Sequence, residues 1–169
     1  PEALSRARIA VIPVDIRHVL SLASVFGESF WFGAVLSALR VLQGGAPATR
    51  EPWFVDPTAD WLGQVLESAV TSDLIFVNGD SVIPGHQEFT FSSDSDRVAL
   101  YESLPMTDRN TLHRVAAQWL TSRAHTQPGP WHERAAEHYL HAGDTLRGAQ
   151  CLLKAGLCAR ALHDLGRTK

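Results

Sequence analysis

Ala59-Asp60-Trp61-Leu62-Gly63-Gln64-Val65-Leu66-Glu67-Ser68-Ala69-Val70-Thr71-Ser72, followed at once by Asp73-Leu74-Ile75-Phe76-Val77, changes its period part-way along. In the first part Trp61, Leu62, Val65, Leu66, Ala69 and Val70 recur at three- and four-residue steps and trace one face of a helix. Leu74-Ile75-Phe76-Val77 is instead a short β-type run, as is Glu88-Phe89-Thr90-Phe91. Asn78-Gly79 and Pro84-Gly85 lie between these two runs and supply turn chemistry, so the spacing predicts a two-stranded hairpin directly after a helix.

Upstream lie two more helical patterns. From Val14 to Phe26 apolar residues recur at helical spacing, and Gly27 fits a helix stop. Ser29 stands as an N-cap candidate before residues 30–42, which are apolar nearly all round, belong at the centre of a core and end at Gly44-Gly45. Residues 43–58 hold three prolines and two glycines and make a loop from which Trp53 and Phe54 fold back on the core. Three helices and then a hairpin is the winged-helix order, a variant of the helix-turn-helix class.

Downstream the pattern is helical. Residues 94–104 make a short helix stopped by Pro105, and Thr107 is placed to cap a run with Leu112, Val115, Ala116, Trp119 and Leu120 on one face. Gln127-Pro128-Gly129-Pro130 reads as a linker. Residues 131–142 and 145–155 are two helical stretches joined at Gly143-Asp144, and 157–165 begins a third. Ala135, Ala136, Ala142, Ala149, Ala155 and Ala159 recur where helices would approach closely, in the manner of a tetratricopeptide-like solenoid. About one repeat is present, so its second face calls for a neighbour beyond Lys169 or for cover from elsewhere in the chain. The expected fold is mainly α with a small β-hairpin. It comprises a winged-helix domain over 1–104, a connecting helix and linker over 105–130, and the start of tetratricopeptide-like helical hairpins over 131–169.

The 169 residues are 45% hydrophobic and 20% charged, enough to bury roughly 70% of the unfolded surface in one good core or two small ones. No apolar run nears the roughly 18 residues of a bilayer span, so no membrane role is expected. Cys151 and Cys158 are seven apart in a helical stretch, about 10 Å along one face and too far for a disulfide. They read as small buried hydrophobes in a cytoplasmic protein. Opening on Pro1-Glu2-Ala3 without a methionine, the chain reads as a piece of a longer protein.

The net charge of −3 is unevenly spread. Residues 1–50 carry five Arg against three acids, whereas from Glu51 to Asp96 there are nine acids and no Lys or Arg at all. Residues 97–169 carry ten bases against six acids. The middle block would repel a polyanion, and it includes both the helix and the hairpin that a DNA-binding winged helix would use. A protein-contacting role is therefore favoured over DNA binding.

No enzyme is visible. Gly-x-x-x-x-Gly-Lys-Ser/Thr, Gly-x-Ser-x-Gly and His-Glu-x-x-His are all absent, and the only lysines are Lys154 and Lys169. Glu133, Glu137, His138 and His141 share neighbouring helical turns, but such spacing is unspecific and no partner helix offers an obvious ligand set, so these are read as structural. Asp94, Asp96 and Glu102 read as helix-terminal and surface charge. Trp31, Trp53, Trp61, Trp119 and Trp131 read as core rather than as an aromatic ligand surface. No catalytic, cofactor-binding or metal residue is assigned.

Leu22-Ala23-Ser24-Val25-Phe26-Gly27-Glu28-Ser29-Phe30-Trp31, then Phe89-Thr90-Phe91, Tyr101-Glu102-Ser103-Leu104-Pro105, Arg109, Leu112-His113-Arg114, Ala116-Ala117 and Trp119-Leu120, resemble the segment after the ATPase core of STAND-class signalling ATPases. Ala135-Ala136-Glu137-His138-Tyr139, Ala142-Gly143-Asp144 and Ala155-Gly156 are similar to the first helical repeat of those bacterial regulators. The resemblance implies a winged helix that packs on the nucleotide domain and helps hold an ADP-bound state, with repeats that sense a partner. ATP or ADP would be bound by the rest of such a protein and not by this segment. Many relatives carry Arg-His after the second wing strand where this chain has Ser92-Ser93, which puts a nucleotide-sensing role at Ser93 in question.

The expected function is thus a non-catalytic regulatory and protein-interaction segment of a larger signal-transduction ATPase, coupling nucleotide state to partner binding. Its partners would be the upstream ATPase domain and a protein on the repeats. The residues expected at such contacts are Asp60, Glu67 and Asp73, facing a basic surface, together with Ser93, Arg97, Arg109 and Arg114 near the junction. The alternatives are a DNA-binding winged-helix regulator using the more basic second half, and a stand-alone helical scaffold.

Overall fold

A computed structural model describes residues 2–44, 56–123 and 128–167. Among these are eight helices and one small antiparallel sheet, and the chain divides into two compact units, Pro1–Pro105 and Met106–Lys169.

The first unit runs α1 (Glu2–Val11), α2 (Val14–Ser24), β1 (Ser29–Trp31), α3 (Phe32–Leu42), α4 (Pro57–Thr71), β2 (Ile75–Asn78), β3 (Glu88–Phe91) and α5 (Asp94–Ser103). Two features depart from the sequence expectation. The polar start forms α1, and the hairpin gains a third strand, giving the order β1-β3-β2. Gly27, at φ 104°, turns the chain after α2. Ser29, Phe30 and Trp31 then pair with Thr90, Phe89 and Glu88. Ser29 is therefore a strand residue and not a helix cap, and α3 starts only at Phe32. Aromatic side chains suit a pleated, half-buried surface, and pairing with β3 overrides the local helical pattern.

The pleat sends Phe30, Phe89, Phe91, Ile75 and Val77 to one face of the sheet, where Phe30 stacks on Phe89 with centroids 5.5 Å apart. That face joins a core made by Leu20, Leu22 and Phe26, by Ala34 and Leu39 of α3, and by Leu62, Leu66 and Ala69 of α4, all buried. Trp31 is buried as expected, whereas Trp61 is only half-buried; Trp53 and Phe54 lie outside the described residues.

Local chemistry starts α4 where it does. Pro57 occupies its first turn, and the Asp56 carboxylate caps it by accepting from the N–H groups of Thr58 (3.0 Å) and Ala59 (3.3 Å). Arg40 of α3 pairs with the same carboxylate. Burial pushes this carboxyl up, but Arg40 and the two N–H groups outweigh it and hold Asp56 below the usual carboxylate range.

The second unit consists of α6 (Met106–Arg123), α7 (Pro128–His141) and α8 (Thr145–Arg167), with α7 packed against both neighbours. Here α6 packs as a full member of the unit, where the sequence suggested a connector. Thr107 lies in its first turn and does not cap it. Pro128-Gly129-Pro130 forms the first turn of α7 and is not a linker, because first-turn positions need no N–H. At Gly143-Asp144 the expected joint is present in detail. Gly143 takes φ 77°, its N–H reaches the Leu140 carbonyl (3.0 Å), and the Asp144 N–H reaches that of Tyr139 (2.8 Å). The Asp144 carboxylate then accepts from Arg147 N–H at 3.1 Å and caps α8.

That helix runs unbroken through Gly156, where the sequence suggested a second joint. The close approach of α7 and α8 uses buried Ala135, Ala136 and Ala142 on α7. On α8 it uses Gly148, where a Cβ would lie 2.9 Å from Leu140 Cδ2, while Ala149 and Ala159 face solvent. Cys151 and Cys158 are free thiols, the first buried. Among the described residues no helix is long and apolar enough to cross a membrane.

Candidate functional site

The surface of α4 is built from positions seven and four apart. Asp60, Gln64, Glu67, Ser68 and Thr71 share its exposed side, since residues at those steps return to one face of a helix. The helix stops at Asp73, which adopts φ 55°, a left-handed conformation that short polar side chains tolerate. Its N–H reaches the Val70 carbonyl, and Leu74 N–H reaches that of Ala69, turning the chain directly into β2. Asp60, Glu67 and Asp73 are all exposed.

Beside this face lies a groove of about 390 Å³ between α4 and the sheet, lined by Phe32, Gly63, Leu66, Glu67, Val70, Val77, Gln87 and Phe89. Among the described residues Glu67 is the one charged group of this lining. Val77, 45% exposed, carries this apolar surface onto β2, whereas Phe76, 50% exposed, alternates to the opposite face of the sheet. This surface combines an apolar slot with a carboxylate at its edge, an arrangement suited to an apolar anchor flanked by a cation.

The nine acids of the central block separate into distinct roles. Asp56 caps α4, and Asp94 pairs with Arg97 at 2.7 Å within α5. Asp96 is buried and pairs with Arg8 of α1 at 3.2 Å. Glu88 is buried, and its carboxylate accepts from Asn78 Nδ2 (2.9 Å), Val82 N–H (3.0 Å), Ser81 Oγ (3.1 Å) and Trp31 Nε1 (3.1 Å). That network fastens the loop between β2 and β3 to the polar face of the sheet. Asp60, Glu67, Asp73 and Asp80 remain as exposed surface acids, and Glu51 lies outside the described residues.

The other sequence candidates are placed as follows. The Ser93 hydroxyl accepts from Asp96 N–H at 3.3 Å and caps α5. Arg97 is held by Asp94 on its own helix. Arg109 and Arg114 are on α6 of the second unit, half-buried and exposed respectively. The structure therefore brings Glu67 to the groove and sets Asp60 on the same helix face, while Ser93 and Arg97 serve the start of α5.

A histidine cluster in the second unit escaped the sequence reading. His113 of α6 and His138 of α7 are buried, with their Nδ1 atoms 2.9 Å apart, and His141 stacks on His113 with centroids 4.9 Å apart. Burial first, then the charges of His141 and Arg109, lowers His113 to about 4. Burial first, then His113, Arg134 and His141, lowers His138 to about 3. Both are thus neutral near neutral pH. The spacing of His138 and His141 was visible, but their partner His113 lies on another helix, 25 residues before His138. Glu133 and Glu137, grouped with them in the sequence, are exposed. Among the described residues no group of three or more His, Cys, Asp or Glu is arranged to hold a metal ion.

No protein-family model, no curated protein and no solved structure matches this chain.

Proposed function

We propose that the first unit is a winged-helix module that contacts protein, and that the chain is a non-catalytic regulatory segment of a larger signal-transduction ATPase. The observation that carries this reading is the surface of α4. A DNA-binding winged helix uses that helix and the following hairpin to meet phosphates, yet here residues 51–96 carry no Lys or Arg, and Asp60, Glu67 and Asp73 are exposed beside an apolar groove.

The order α2-β1-α3-α4-β2-β3, with β1 added to the outer side of β3, supports the winged-helix assignment. The α7–α8 hairpin with its Gly143-Asp144 joint supports a tetratricopeptide-like start in the second unit. In this reading α4 packs on a basic surface of an upstream nucleotide-binding domain. ATP or ADP is held there, in the cytoplasm, and nucleotide exchange moves the winged helix between two packings while a partner on the repeats biases the balance.

Two measurements test it. Fluorescence anisotropy with a random-sequence duplex at low salt is expected to show no binding by this chain, and salt-dependent binding would favour the DNA-binding alternative. Reading the coding sequence upstream of Pro1 is expected to find a Gly-x-x-x-x-Gly-Lys-Ser/Thr loop. A start codon adjacent to Pro1 would leave a stand-alone scaffold instead.

A further inference from the structure

We infer that the outward side of α8 docks an acidic amphipathic helix of a partner protein. This helix is apolar on two opposite sides. One side, with Gly148 and Cys151, is buried against α7. Leu146, Leu153 and Leu157 are 70%, 66% and 55% exposed. At about 100° per residue these three fall within about 20° of a single line, roughly 180° from Gly148 and Cys151, and the line runs about 16 Å along the axis. Scattered surface leucines need no account, but an aligned stripe marks an interaction surface. Exposed Ala149 and Ala161 lie beside it and leave room for the ridge of a second helix.

Charge selects the occupant. Along α8 the sequence has Arg147, Lys154, Arg160 and Arg167 against Asp164 alone; Arg147 is drawn to Asp144 at 3.5 Å, and exposed Lys154 and Arg160 flank the stripe. A second copy of α8 laid on this stripe would bring like charges together at its flanks, whereas a helix with a leucine seam between rows of Glu would pair with them. The stripe is on the second unit, and its sign is opposite to that of α4, so this inference does not rest on the reading of the first unit.

The test titrates the chain against two labelled synthetic helical peptides by fluorescence anisotropy. Both carry one leucine seam; one is flanked by Glu and the other by Lys. The Glu-flanked peptide is expected to bind at least tenfold more tightly, and more weakly as salt rises. Leu153→Gln with Leu157→Gln, both good helix formers, is expected to remove binding with the circular dichroism spectrum unchanged, and Lys154→Glu with Arg160→Glu to reverse the preference. Equal affinity for both peptides, or no binding of the Glu-flanked one, overturns the inference. So does a dimer in analytical ultracentrifugation that Leu153→Gln with Leu157→Gln dissociates, because a second copy is then the occupant, and so does loss of Glu-peptide binding in a chain extended beyond Lys169 by its natural coding sequence, because the next repeat is then the occupant.

Discussion

The Nδ1 atoms of His113 and His138 lie 2.9 Å apart between α6 and α7, so one ring donates a hydrogen bond that the other accepts. Protonating both rings sets two N–H donors, each on a cation, against one another. Burial keeps both groups neutral, with His113 lowered to about 4 and His138 to about 3 from the ordinary 6.5. In the unfolded chain they protonate near 6.5, so below that pH the unfolded state binds more protons and stability falls.

Full stability of the second unit is therefore expected above pH 6.5, with a progressive loss as pH drops toward about 3. Thermal unfolding at pH 7, 6 and 5 is expected to show a falling midpoint. Replacing the pair, His113→Phe with His138→Leu, is expected to flatten the fall between pH 6.5 and 5, where few carboxylates titrate. An equally steep fall in the double variant would assign the pH dependence to other groups.

Glu88 is the acceptor on which the β2–β3 loop depends. Glu88→Ala leaves Trp31 Nε1, Asn78 Nδ2 and Val82 N–H without their carboxylate. It is expected to cost about 2–4 kcal/mol in urea denaturation. Glu88→Gln, which keeps one oxygen acceptor, is expected to cost less. A loss below about 1 kcal/mol for Glu88→Ala would mean that the loop is held by other contacts.

Two glycines of α8 separate helix propensity from packing. Nothing lies within 4 Å of a Cβ built on Gly156, so Gly156→Ala is expected to stabilise by about 0.5–1 kcal/mol. At Gly148 the added methyl meets Leu140 Cδ2 at 2.9 Å and Cγ at 3.0 Å, so Gly148→Ala is expected to gain less. Equal gains at both sites would show that α7 and α8 do not press together at Gly148.

The helices legible in the sequence are those with one apolar face against a core: α2, α4 and α6 follow their three- and four-residue spacing. Long-range pairing was not legible. Ser29-Phe30-Trp31 carries a helical pattern, and only the arrival of β3, some sixty residues later, makes it a strand. Gly143 and Gly156 look alike in the sequence. Gly143 ends a helix because it adopts a left-handed turn and Asp144 follows to cap the next helix, whereas Gly156 stays inside α8. The acidic block was legible as charge, but the structure divides it into a cap, buried anchors and a surface: Asp56 and Glu88 lie in the same run as Glu67 and do different work. His113 gave no signal, because its partners are on α7.

In the function proposed above, the acidic side of α4 makes a regulatory contact with an upstream nucleotide-binding domain. In the longer ATPase that this proposal calls for, Asp60→Asn, Glu67→Gln and Asp73→Asn together remove that charge while keeping side-chain size, and Asn tolerates the left-handed backbone at Asp73. ATP turnover of this triple variant is the most direct measurement. A several-fold rise in basal turnover is expected, with the circular dichroism spectrum and unfolding midpoint unchanged, as the inactive packing is released. Turnover equal to that of the unsubstituted protein would contradict the proposal.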